Sequence, residues 1–356
     1  MTRDPILFRV DGTSRVGWEH LSRCLILAAA LQRRRRPTYF LSQLDPASLA
    51  LNIKRGGNNW LEADCPAGSD EDLEETVQEI RRLGPAAVIV DASDITENYL
   101  EKLRRTGATV VSMDNTANIH FPSHLLINPL LAPGKESYEF VADAQILLGN
   151  RYALVRPEVR RVRPVRAQEP PQPFRAMVSL GDHDPNHQSV ALTKLLLNCP
   201  RVARVDVIVR SHHPDLPQLQ SLMKTCPDRL EIAMEPAEIM MRLTRCHFAL
   251  SAGNTWSLEL ACVGIPQLVI VQAETYWPSA QRLEEEGAAQ CLGWHANVSA
   301  QTIRQAVQNL LTDDLERQAM SRCGRQLIDG RGPDRLVTAL EILLHPSRQV
   351  EFSEAA

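Results

Sequence analysis

Short β-branched runs alternate with stretches of helical period along this chain, in two sets separated by a segment dense in arginine and proline. No other feature narrows the fold as far. In the first set Val88–Asp91 and Thr109–Asp114 read as buried strands that each end in an aspartate, and Asn98–Arg105 between them has helical period. The second set opens with Ala176–Leu180 and continues through Val205–Val209, Phe248–Ser251 and Leu268–Val271. Strands that alternate with helices pair in parallel through right-handed crossovers, so the expected class is α/β with two parallel-sheet domains. The expected division is an N-terminal domain over 1–155, a linker over 156–174, a C-terminal domain over 175–345 and a frayed tail over 346–356. Two such halves are expected to face one another across a cleft, where small molecules tend to bind.

Composition excludes several classes. With 356 residues, 44% hydrophobic and 23% charged, the chain is long enough for two domains and is neither disordered nor membrane-like. A net charge of -4 gives no drive toward nucleic acid. The run Arg33–Arg36 reads as the solvated end of a helix, where cations suit the dipole. The N-terminus lacks the apolar core of a signal peptide, and no stretch approaches the roughly 20 apolar residues of a membrane span, so a cytoplasmic protein is expected. The eight cysteines, at 24, 65, 199, 226, 246, 262, 291 and 323, form no Cys-x-x-Cys pair, so neither a zinc site nor a disulfide framework is implied.

Chemistry is expected first at the strand-to-helix junction of residues 9–31, where His20 stands at the mouth of an amphipathic helix after the Arg9-Val-Asp11-Gly12 strand end. The opening N–H groups of a helix are unpaired and carry partial positive charge, which favours anions there. An imidazole at that place can take a proton from water or a hydroxyl, and His20 is the candidate general base. Packing or capping of the helix start is the alternative. In the second half, Ser251-Ala-Gly253-Asn254-Thr255-Trp-Ser257 runs from a strand through small residues into a helix, a geometry whose N–H groups and hydroxyls can meet a diphosphate. Glu259 lies in the first turns of that helix, where a carboxylate also simply suits the dipole. His183 and His187 are separated by Pro185, and His120 and His124 by Pro122, which breaks the single helical face that a metal pair at this spacing needs. No metal or cofactor is expected.

The residue 9–24 segment resembles the N-terminal signature of the nucleotide-sugar hydrolases of pseudaminic acid synthesis and the related spore-coat polysaccharide proteins. Arg9, Asp11, Gly12, Gly17, His20, Arg23 and Cys24 fall in register, and Glu19 stands where that family has a second glycine. Leu180–Asn186 resembles a glycine-rich turn of the same hydrolases and of GT-B glycosyltransferases, with Gly181, Asp184 and Asn186 matching and Asp182 replacing a glycine. Residues 251–266 match the family's nucleotide loop, and Arg151–Glu158 and Leu327–Arg335 resemble two further segments, so the likeness spans roughly residues 6–340. The Asn-Gln pair expected after Leu268–Val271 is absent, Gln272-Ala273-Glu274 taking its place, and the tyrosine expected after Asp91 is missing.

The resemblance implies a GT-B-like fold, two Rossmann-like parallel-sheet domains facing an interdomain cleft. It implies a UDP-sugar hydrolase acting on a UDP-linked deoxy-diacetamido sugar, with His20 activating water and Asp11, Gly17, Arg23, Asp91 and Asn128 on the substrate side. The nucleotide side would be Gly181, Asp184, Asn186, Ser251, Gly253, Asn254, Thr255 and Glu259, the last accepting the ribose hydroxyls. Two alternatives stay open. One is a GT-B glycosyltransferase using the same base on an acceptor hydroxyl. The other is a binding or assembly homologue without catalysis, with a protein partner and with Trp18, Trp256 or Trp277 filling the site.

Overall fold

The computed structural model describes residues 3–181, 184 and 186–345, so Asp182, His183, Pro185 and the tail from 346 lie outside the described residues. The apolar runs become the central strands of two separate parallel sheets, in two compact units.

The first unit comprises residues 1–154 together with the chain from Arg331 onward. Its strands and helices are β1 (Ile6–Val10), α1 (Glu19–Arg33), β2 (Thr38–Ser42), α2 (Leu49–Arg55), β3 (Asn59–Glu62), α3 (Asp70–Leu83), β4 (Ala87–Asp91), α4 (Glu97–Arg104), β5 (Thr109–Met113), β6 (His120–Phe121), β7 (Leu125–Asn128), β8 (Glu139–Phe140) and β9 (Gln145–Leu148). The sheet order is β3-β2-β1-β4-β5-β7-β9, and β6 pairs with β8 alone. β1 is buried along its whole length because both faces of the sheet are covered. Phe8 of β1 stacks on Phe40 of β2 at 4.6 Å, and Leu21, Cys24, Leu27 and Leu31 of α1 close over that face.

The second unit spans Val155–Gly330. It contains α5 (Pro157–Val162), β10 (Phe174–Ser179), α6 (Gln188–Leu197), β11 (Val202–Ile208), α7 (Leu216–Thr225), β12 (Leu230–Ala233), α8 (Pro236–Arg245), β13 (Phe248–Ser251), α9 (Thr255–Val263), β14 (Gln267–Val271), α10 (Trp277–Glu285), β15 (Gln290–Trp294), α11 (Ala300–Thr312) and α12 (Asp314–Leu327). Its sheet order is β12-β11-β10-β13-β14-β15. Among the described residues no helix is long and apolar enough to cross a membrane.

Two boundaries differ from the expectation. The last helix, α13 (Gly332–Leu344), returns to the first unit, where Leu336, Val337 and Leu340 join the core beside α1. Arg36 anchors it through Nε and Nη2 to Glu341 at 3.0 and 2.8 Å. The segment 156–174, expected as a bare linker, carries α5 with Pro157 at its first position and Val159 and Val162 buried. The arginines that gave it a linker's composition hold it in place, since Arg163 donates to the carbonyls of Cys262 and Ile328 at 2.8 and 2.7 Å.

Candidate functional site

In each unit the candidate residues gather where the strand order reverses, the switch point at which α/β sheets bind ligands beyond the carboxyl ends of their strands. In the first unit this is the β1/β4 junction, because α1 begins beyond β1 and Asp91 is the last residue of the adjacent β4. Gly17, at φ 78°, makes the turn that brings Trp18 and Glu19 to the helix start.

His20 Nδ1 meets Asp91 Oδ1 at 2.6 Å. An ionised carboxylate only accepts, so this contact calls for a proton on Nδ1, which in the neutral ring leaves Nε2 as the acceptor nitrogen, and Arg23 Nη2 lies 3.1 Å from the same Nδ1. Nε2 has no partner among the described residues, and the side chain is 21% exposed. Asp91 is fully buried and is also held by Arg23, whose Nε donates to Oδ2 at 2.6 Å while Nη2 donates to Oδ1. Cys24 Sγ adds a contact to Oδ2 at 3.4 Å. Burial alone would push the Asp91 carboxyl up, but the Arg23 guanidinium and His20 outweigh it and hold Asp91 well below the usual carboxylate range. An imidazole oriented by a buried carboxylate in this way can chemically serve as a general base.

Among the other residues expected on the substrate side, Asp91, Arg23, Asp11 and Asn128 have side-chain partners within the chain. Asp91 bonds Arg23 and His20 together, an arrangement that suits it and Arg23 to positioning the imidazole. Asp11 is 5% exposed and accepts from Arg9, from the Gln43 N–H at 2.9 Å and from the Ala67 N–H at 2.8 Å. Asn128 is buried, accepting from the Leu130 N–H at 2.9 Å and donating to the Pro133 carbonyl at 3.3 Å. Trp18 packs in the core and donates to the Asp45 carbonyl at 2.9 Å.

In the second unit the switch point lies between β10 and β13. Gly181, at φ 107°, follows β10, and an added Cβ would come within 2.5 Å of Asn254 Nδ2. Gly253, at φ 83°, precedes α9, and an added Cβ would meet that of Ala280 at 2.8 Å. Both turns therefore require glycine. Asn254 caps α9 through the Ser257 N–H and ties the two loops together by donating to the Leu180 carbonyl at 3.2 Å. Thr255 opens the helix, and Ser257 Oγ accepts from the Gly253 N–H at 2.9 Å. Ser251 instead donates to Gln267 inside the sheet, at 2.8 Å. Asp184 is buried and accepts from the Gln188 and Ser189 N–H groups at 3.1 and 2.7 Å, so it caps α6. Asn186 donates to the carbonyl and side chain of Gln272 at 2.9 and 3.1 Å.

Glu259, expected to face a ribose, is 3% exposed and engaged by Arg156. Its Oε1 accepts from the Arg156 N–H at 2.7 Å and from Nε at 3.0 Å, and its Oε2 from Nη2 at 2.6 Å. The guanidinium also lies over the Trp256 ring at 4.5 Å. Burial raises the Glu259 carboxyl despite this pairing. A hydroxyl reaching Glu259 must share or displace an Arg156 bond. Arg156 escapes sequence reasoning because its partner lies 103 positions away and its neighbours carry no local signal.

Over 338 residues the chain is 21% identical to the spore coat polysaccharide biosynthesis protein SpsG of Bacillus subtilis (strain 168), covering 94% of this chain and 96% of that protein. No family model matches it. Among solved structures it is similar to MurG of Acinetobacter baumannii, with a TM-score of 0.64, 13% identity and coverage of 95% and 99%. It is also similar to the spinosyn rhamnosyltransferase SpnG complexed with thymidine diphosphate, with a TM-score of 0.63, 17% identity and coverage of 95% and 100%. The chain is thus α/β with two parallel-sheet units and shares the fold of the GT-B glycosyltransferases.

Proposed function

We propose that the chain is a sugar-nucleotide-dependent glycosyltransferase of polysaccharide biosynthesis in which His20 is the general base. The observation that carries this reading is the His20–Asp91 pair, 2.6 Å apart, with Nε2 without a partner among the described residues. Such a nitrogen removes the proton from an acceptor hydroxyl as its oxygen attacks the anomeric carbon, and the nucleoside diphosphate leaves with the bonding electrons. The leaving group is assigned to the Gly181 and Gly253 turns and the start of α9, where backbone dipoles favour anions. The named activity of the spinosyn enzyme and the polysaccharide role in the name of the Bacillus subtilis relative support transfer.

Hydrolysis of the sugar nucleotide, with water in place of the acceptor, is the second reading. The in-register Arg9–Cys24 signature supports it. Both readings need the base, and the product separates them, a free sugar marking hydrolysis. The test is nucleotide release from UDP- and dTDP-sugars, with calorimetric titration of UDP and dTDP alongside. His20→Ala should lower turnover by at least about 100-fold while leaving nucleotide affinity in place. Full turnover in that variant would remove the mechanism.

A further inference from the structure

His247 and Pro266 immediately precede β13 and β14, at the ends of the second sheet opposite the Gly181 and Gly253 turns. A cavity of about 340 Å³ opens there, lined by Arg166, Glu169, His247, Arg317, Arg322 and Arg325. A strand of four or five residues separates it from the nucleotide turns by about 15 Å.

The charges of this lining do not cancel. Arg317 takes Glu169 at 2.6 Å and also pairs with Asp314, so the acidic member is already used. His247 is fixed as a neutral ring, because its Nδ1 accepts from the Arg175 N–H at 3.0 Å and its Nε2 donates to the Pro170 carbonyl at 3.0 Å. Arg166 is only 2% exposed, and its guanidinium donates to the Gln168 carbonyl at 3.0 Å while Nε is buried with no partner. Arg325 donates to the Arg163 carbonyl at 2.6 Å. Among the described residues no carboxylate lies within ion-pair distance of Arg166, Arg322 or Arg325.

A buried guanidinium without an anion is costly, and its planar fork matches a phosphoryl or carboxylate oxyanion. Burial above all, with a smaller contribution from Arg325, lowers the basicity of Arg166 against the opposing pull of Cys246 and Glu169, and an anion bound at the guanidinium would raise it. The volume falls within the range of small-molecule sites, roughly 300–1,000 Å³. We propose that this cavity is a second ligand site, one that takes a small phosphate-bearing molecule on Arg166, Arg322 and Arg325.

The test is calorimetric titration of the full chain with inorganic phosphate and, separately, with glucose 1-phosphate, which distinguishes a free phosphate from a phosphorylated sugar as the source. Arg166→Gln and the Arg322→Gln/Arg325→Gln pair should each weaken binding at least tenfold, and Glu259→Ala should leave it unchanged. Arg322 is exposed, so Arg322→Gln alone, checked by thermal unfolding, keeps the test open should Arg166→Gln fail to fold. Failure of the wild type to bind either probe at millimolar concentration would overturn the proposal. So would affinity that survives every arginine change, or affinity lost in Glu259→Ala.

Discussion

Arg23 and His20 both depend on one buried carboxylate, but the consequences of removing it differ. Arg23 is 2% exposed, so Asp91→Asn would strand a guanidinium in the interior, at a cost of about 3–5 kcal/mol. His20 is partly exposed and can be solvated, so His20→Gln should cost less than about 1 kcal/mol. Urea unfolding of the two variants checks this, and a loss under 1 kcal/mol for Asp91→Asn would show that Arg23 finds another partner. The depressed carboxyl adds a pH signature. Its contribution is fully present above the unfolded value near pH 4 and is lost as pH falls below it. His20 was legible because a strand end, a glycine turn and a helix start are contiguous in the sequence. Asp91 is legible only as a strand-end aspartate, because its bonds run to a histidine 71 and an arginine 68 positions earlier, beyond any local pattern. Glu259 stood out at its expected spacing, but the guanidinium that occupies it belongs to a distant turn.

Among elements, the central strands of both sheets were readable because burial on both faces demands continuous apolar runs, as in Val88–Val90 and Phe248–Leu250. β6 and β8 were not, since two-residue strands leave no periodicity to detect. β11 shows where pattern and charge conflict. Val205 and Val207 enter the core, while Asp206 between them is 1% exposed, with Arg242 at 3.5 Å and no hydrogen bond to either carboxylate oxygen. Burial pushes the Asp206 carboxyl up to about 6. Between about pH 4 and 6 the folded state therefore keeps a proton that the unfolded chain has released, and stability falls as pH rises through that window, by about 3 kcal/mol in all. Asp206→Asn should abolish this slope. Denaturation of the wild type and the variant at pH 4 and 7 measures it, and parallel behaviour of the two proteins would mean that Arg242 fully compensates the buried charge.

At the scale of the whole molecule the chain crosses between units twice, leaving the first after Leu154 and re-entering it at Arg331. The pattern of Leu336, Val337 and Leu340 announces an apolar helix face but not which core receives it, so sequence proximity points α13 to the second unit while its apolar face packs in the first. Its burial makes the first unit dependent on Gly332–Leu344, a segment that follows the whole second unit in sequence. Leu336, Val337 and Leu340 are 1–3% exposed, and removing them together forfeits roughly 6 kcal/mol of burial. Arg36, 2% exposed, would also lose the Glu341 carboxylate and be left buried without its anion. A loss of that size is comparable with the entire stability of a domain, about 5–15 kcal/mol. The second unit keeps its six-stranded sheet within Val155–Gly330. Ending the chain after Gly330 should therefore unfold the first unit and spare the second. In limited proteolysis, residues 1–154 should be digested while a fragment spanning about 155–330 persists, and amide exchange should lose protection in β1 and β4 but keep it in β10 and β13. Equal protection of both sheets in the truncated chain would show that α1 closes the first core without its partner helix.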